Sequence, residues 1–123
     1  SVMASPNATE RLGRYLANAV REPLAPNVAE KAAICLLDAI GLAVSAHREP
    51  TALAAREIAA PAADEAPAAR LWADGRRVGL GDAALANGIA AHAHFQDDTD
   101  HDSWSHPGSL VPPAVVALAE SLD

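Results

Sequence analysis

The chain has 123 residues, a length that bounds it to one small domain, and a net charge of −7 with Lys31 as its only lysine. It has no basic run or stripe, which argues against nucleic acid as a partner, and no apolar run reaches the ~18 residues needed to span a bilayer. Half of the residues are hydrophobic but only 3% are aromatic, so the core rests on alanine, which buries little area at roughly 25 cal/mol per Å².

A chain with so thin a core is expected to lean on a partner or on a self-associating face. The start, SVMASPNATE, is polar and has no apolar signal core, so secretion is not expected. Cys35 is the only cysteine. It can form no internal disulfide, and the cytoplasm is the expected compartment.

Asn7 followed by Glu10 predicts a capping box. Leu12, Tyr15, Leu16, Ala19 and Val20 then follow at helical spacing up to Pro23. Residues 26–46 read as a longer helix whose stripe is Val28, Ala32, Cys35, Leu36, Ala39, Ile40 and Ala43. Cys35 within that stripe reads as a core residue. Asp38 beside it reads either as a buried, helix-bridging carboxylate or as a solvent-facing one. His47 reads as a partner for the carbonyl end of this helix. Residues 51–60 make a third, short helix, and residues 61–67 an Ala/Pro-rich loop. Arg70-Leu71-Trp72 and Arg77-Val78 flank Asp74-Gly75, a turn signal that predicts a small hairpin near residues 70–79. Asp82 can cap a fourth helix running to about His94. Ser109 can cap a fifth, with Pro112 and Pro113 in its first turn. The expected fold class is all-α, a bundle of about five helices with one short β-hairpin, forming a single domain over residues 1–123.

Between the last two helices, residues 87–114 concentrate His92, His94, Asp97, Asp98, Thr99, Asp100, Asp102, Trp104 and His106. A loop carrying proton-transfer groups between rigid elements is where chemistry usually sits. Three readings compete. As a metal site it fits poorly: His92 and His94 point apart on a helix. Asp98, Asp100 and Asp102 begin like a calcium loop, but Ser103 and Ser109 stand where its glycine and glutamate belong. No metal is therefore expected. As an acid–base site it offers His106, stiffened by Pro107, with Gly108 permitting close backbone approach. The free N–H groups of the fifth helix are then available to a substrate carboxylate. As plain structure, the run is a solvated surface with Asp97 or Asp98 capping a helix end. Asn87 and His92 have a bland reading as buried hydrogen-bonding residues, Asp100 and Asp102 as solvent-facing ones, and Trp104 as a lid or packing residue.

Leu36-Leu37-Asp38 with Gly41-Leu42, Ala83 through Asn87-Gly88 to His92, Asp97-Asp98-Thr99, His106-Pro107-Gly108 and the apolar segment 111–120 occur in an order that resembles the N-terminal part of the MmgE/PrpD family, the 2-methylcitrate dehydratase-like proteins. The resemblance covers most of the chain. It implies an all-helical domain and an active site for small di- or tricarboxylates. It also implies dehydration, decarboxylation or epimerisation by proton transfer, without a cofactor. Carried over residue by residue, it implies His106, Asp97 and Asp98 as catalytic candidates and Thr99, Asn87, His92 and Gly108 as substrate-binding ones. Two departures stand out. The family usually carries an acid just before the aromatic preceding Asp-Asp-Thr, where this chain reads His94-Phe95-Gln96. Family enzymes also run to several hundred residues, so the second family domain and its basic residues are expected to be absent.

A tricarboxylate beside four aspartates meets repulsion of about 4 kcal/mol per like pair at ~4 Å and an effective dielectric of ~20, and Arg76 and Arg77 are the nearest arginines in sequence. The leading expectation is thus an acid–base lyase or isomerase component completed by self-association or by a complementary second chain. The alternatives are a non-catalytic helical oligomerisation module and a repurposed small lyase with a site across a homodimer.

Overall fold

The structure is a computed structural model that describes residues 6–63 and 66–122. The first half of the polar start and the Asp64-Glu65 part of the predicted Ala/Pro loop lie outside the described residues. The chain forms two compact units, Ser1–Lys31 and Ala32–Asp123. Among the described residues there are five helices and one two-stranded antiparallel sheet, the all-α architecture with a hairpin excursion that the sequence predicts. No helix is long and apolar enough to cross a membrane.

In the first unit, α1 (Ala8–Ala19) starts from the predicted capping box. The Asn7 side chain accepts from the Glu10 N–H at 2.9 Å, and the Glu10 carboxylate accepts from the Asn7 N–H at 3.0 Å. None of its residues is buried, so the stripe of Leu12, Tyr15, Leu16 and Val20 stands exposed. Helix α2 (Pro26–Ser45) begins on a proline, whose missing N–H has no helical partner at that position anyway.

In the second unit, α2 packs through its C-terminal turns. Ala39 and Ala43 are buried, Cys35, Leu36 and Ile40 are half-buried, and Ala32 is exposed. The predicted stripe is therefore only partly covered, and Cys35 is not a sealed core residue. Asp38 is exposed. Beyond the helix the His47 ring N–H donates to the Val44 carbonyl at 2.9 Å, serving the helix end as expected. Helix α3 (Pro50–Ile58) follows.

Strands β1 (Ala68–Arg70) and β2 (Arg77–Gly79) pair with Ala69 opposite Val78. Their turn uses Gly75 at φ 73°, in the left-handed region where only glycine is free of strain. The predicted loop at 61–67 is not wholly loop, since Pro61 bridges to Val78 and covers the outer edge of β2. The β1 edge is closed by side chains. Glu120 accepts from the Arg70 N–H at 2.7 Å, and Asn87 accepts from the Trp72 N–H and donates to the Arg70 carbonyl, both at 2.9 Å.

Helices α4 (Leu80–His92) and α5 (Pro107–Leu122) pack against this hairpin. Two small clusters form the core. One holds Ala55, Ala59, Ala69, Leu71, Val78, Ala83, Ala86 and Ala117; the other holds Ala43, Ala52, Ala90 and Ala91 beneath Trp72. Both expected caps are displaced. Helix α4 begins two residues before Asp82, whose carboxylate instead accepts from the Ala60 N–H at 3.0 Å. Helix α5 begins two residues before Ser109, which leaves Pro112 and Pro113 inside it and not in the first turn. Pro113 cannot donate to the Ser109 carbonyl. That carbonyl lies against α4 at Gly88, where a Cβ would come within 2.7 Å of it.

A histidine–aspartate cluster beside the α4–α5 groove

The site is built at the point where α4 stops. Phe95 takes φ 53°, a left-handed conformation usual just past a helix end but strained for a bulky residue. Its N–H caps the His92 carbonyl at 2.9 Å, and its ring packs on the His92 imidazole at a centroid distance of 4.6 Å. The reversal brings Asp97 back onto the last turn of α4. The His92 Nδ1–H donates to both oxygens of the Asp97 carboxylate, at 3.0 and 2.9 Å.

Asp97 is the buried centre of the cluster, with 1% of its side chain exposed. Burial alone pushes its carboxyl up. The hydrogen bond from His92, the neighbouring Ser109 hydroxyl and the charge of His92 outweigh burial, and the group is held below its ordinary value. Ser109 has one hydroxyl proton to give, and its oxygen also lies 3.0 Å from the His106 carbonyl. On the other side, His106 Nδ1 is 3.7 Å from the Asp97 carboxylate, and the two imidazoles meet edge-on with centroids 5.0 Å apart.

The two aspartates divide their work. The Asp98 carboxylate accepts from the Gly108 N–H at 2.6 Å and so occupies the N-terminus of α5. Gly108 is needed there, since a Cβ would lie 2.5 Å from that carboxylate. The helix N–H expected to await a substrate carboxylate is thus used by the chain itself. Asp98 reaches His106 through its main-chain carbonyl, which accepts from the imidazole Nδ1–H at 3.0 Å. That bond places the proton on Nδ1 and leaves Nε2 as the basic nitrogen in the neutral ring. Thr99 Oγ1 stands 3.5 Å from the same Nδ1, at the outer limit of a hydrogen bond.

Among the remaining candidates, Asn87 is brought to the hairpin and not to this cluster. Residues 100–105 close on themselves, with Asp100 and Ser105 bonded through their backbones at 2.9 and 3.3 Å. The Ser103 hydroxyl donates to the Asp100 carboxylate at 2.5 Å and, with the Asp102 N–H, lowers its pKa. Trp104 takes the left-handed position of this loop, at φ 52°, and is 85% exposed, so it is not the packing residue that was one of its two expected roles. The spacing argument also did not single out Ser109 as a neighbour of Asp97, because it read that serine as a helix cap.

His92, His106 and Ser109 edge an open groove of about 420 Å³ between α4 and α5, otherwise walled by Leu85, Gly88, Ile89 and Leu110. Its size is that of a small-molecule site. Among the described residues neither arginine nor lysine lines it. Arg76 is tied to the Arg56 carbonyl and Asp74, and Arg77 sits on β2 opposite Arg70.

Comparison with curated proteins and with solved structures finds no match to this chain. The family model described as the MmgE/PrpD N-terminal domain matches residues 10–123, and the chain belongs to that family.

Proposed function

We propose that this chain provides the acid–base wall of a lyase or isomerase acting on a small di- or tricarboxylate. The observation that carries the reading is the buried Asp97 carboxylate between His92 and His106 at the edge of a groove of small-molecule size. In this reading His106 takes or gives a proton at Nε2, next to a substrate carboxylate. The Asp98 carbonyl fixes its tautomer, and Asp97, held in place by His92, favours the imidazolium as it forms. Thr99 donates a hydrogen bond to the substrate. With no arginine or lysine lining the groove among the described residues, the carboxylates are neutralised by groups beyond it, such as those of a complementary chain or a second copy.

The test is deuterium uptake. The chain, alone and with a complementary chain resembling the rest of the family, is incubated in D2O with citrate-like acids, and exchange next to the carboxylate is followed by NMR. Exchange should fall ~10²- to 10⁴-fold in His106→Ala. Undiminished exchange in that variant would remove His106 from the mechanism.

A second reading has its own observation. Val111, Val115, Leu118 and Leu122 fall on one face of α5, each more than half exposed. Such a face suits a helical oligomerisation module. It is compatible with the first reading when the partner is a second copy that completes the groove.

A further inference from the structure

The spacing argument weighed His92 with His94, and Asp98 with Asp100 and Asp102, as metal ligands. The fold assembles a different set. One ring nitrogen from each of His92 and His106 and one carboxylate oxygen of Asp97 all lie within 4.8 Å of one another. Two ligands each ~2.1 Å from a single zinc-class ion stand ~3.4 Å apart in tetrahedral geometry and at most ~4.2 Å apart in any geometry. The two nitrogen–oxygen separations on Asp97, 2.9 and 3.7 Å, bracket the tetrahedral value. A small ring movement supplies the remaining contraction. Both imidazoles have room for it, since more than a third of each side chain is exposed, whereas Asp97 is held in the interior.

The surroundings favour the same conclusion. Both histidines line the groove, which gives an ion a way in and leaves a coordination position facing small molecules. The adjacent carboxylates are engaged elsewhere, Asp98 on the Gly108 N–H and Asp100 on the Ser103 hydroxyl. Two imidazoles and one carboxylate suit zinc, cobalt or ferrous iron better than calcium or magnesium, which take oxygen ligands.

We propose that His92, Asp97 and His106 bind one divalent transition-metal ion of the zinc class, with an open position toward the α4–α5 groove. The inference goes beyond the acid–base reading and stands without it. An ion on His106 Nδ1 replaces the proton shared with the Asp98 carbonyl and leaves the ring's proton on Nε2, so an occupied site withholds His106 from accepting a proton there, and zinc acts on the acid–base chemistry as an inhibitor.

The full chain, freed of metal with a chelator, is titrated with zinc sulfate by calorimetry while the histidine ring signals are followed by NMR. One ion per chain is expected, with the His92 and His106 signals moving and those of His47, His94 and His101 staying in place. His92→Gln and His106→Gln should each weaken binding at least ~10-fold, whereas His101→Gln should not, and circular dichroism reports whether each variant keeps its helices. Absence of stoichiometric uptake by the unmodified chain overturns the proposal whatever the variants do. So does uptake that moves only His47, His94 or His101.

Discussion

Asp97 draws opposing influences into one carboxyl group. Burial disfavours its charge, the His92 N–H and the Ser109 hydroxyl favour it, and the net effect is a pKa below the ordinary 3.8. A group depressed in the folded state adds stability that is fully present above the unfolded value and is lost as pH falls through the folded one. Asp97→Asn should therefore lower stability by about 1–3 kcal/mol near neutral pH. The gap between wild type and variant should narrow once pH drops below 3.8, the window set by that shift. Urea unfolding midpoints of both proteins across acid pH check this, and a gap that stays constant down to about pH 3 would contradict the assigned ion pair.

At this scale the sequence was partly legible. It offered Asp97 or Asp98 beside His106, and the fold sets both near the ring, the Asp97 carboxylate 3.7 Å from Nδ1 and the Asp98 carbonyl as the acceptor of its proton. Which aspartate does which depends on a left-handed Phe95, and no propensity argument places a phenylalanine there.

At the scale of elements, helical spacing predicted α1 and α2, the third helix and the cap-based fourth and fifth were also expected near where they form, and Asp74-Gly75 predicted the hairpin. The helix starts were not legible in the same way. A local rule finds a cap one to three residues from a helix start, but the group bonded at the start of α5 is Asp98, ten residues upstream of Gly108. Asp98→Ala should cost about 0.5–2 kcal/mol as a lost cap and loosen the segment that carries His106, visible as faster amide exchange at Gly108.

Nor could sequence reveal the closeness of α4 to α5. A methyl added at Gly88 would meet the Ser109 carbonyl at 2.7 Å, while one at Gly81 on the same helix meets nothing within 4 Å. Gly88→Ala should destabilise by about 1–3 kcal/mol through forced separation of the helices. Gly81→Ala should be neutral or stabilising by up to about 1 kcal/mol, from helix propensity alone. Thermal unfolding of the pair separates the two effects, and equal behaviour would deny the close crossing.

At the scale of the molecule, the alanine-rich composition has its consequence. Among the described residues the largest fully buried side chains are Leu71, Val78 and Pro113, while Leu110, Val111, Val115, Leu118 and Leu122 of α5 are exposed. Val111, Val115, Leu118 and Leu122 recur at intervals of four, three and four, which places them along one side of the helix. Val111 and Val115 also line an apolar cavity of about 430 Å³ with Cys35 and Leu36 of α2. Contiguous apolar surface of this kind is rare on stable monomers, and burying it stabilises by roughly 25 cal/mol per Å². A second copy, or a complementary chain presenting an apolar helix, fits it equally in chemistry, and mass distinguishes them. Light scattering of the chain alone should give a dimer or larger species whose thermal midpoint rises with protein concentration. Val115→Asp, which sets a charge in the middle of the face, should move the population to monomer while leaving the buried clusters of α3, α4 and the hairpin untouched. A wild-type chain that stays monomeric at micromolar concentration would rule out self-association through α5 and turn the search to the complementary chain.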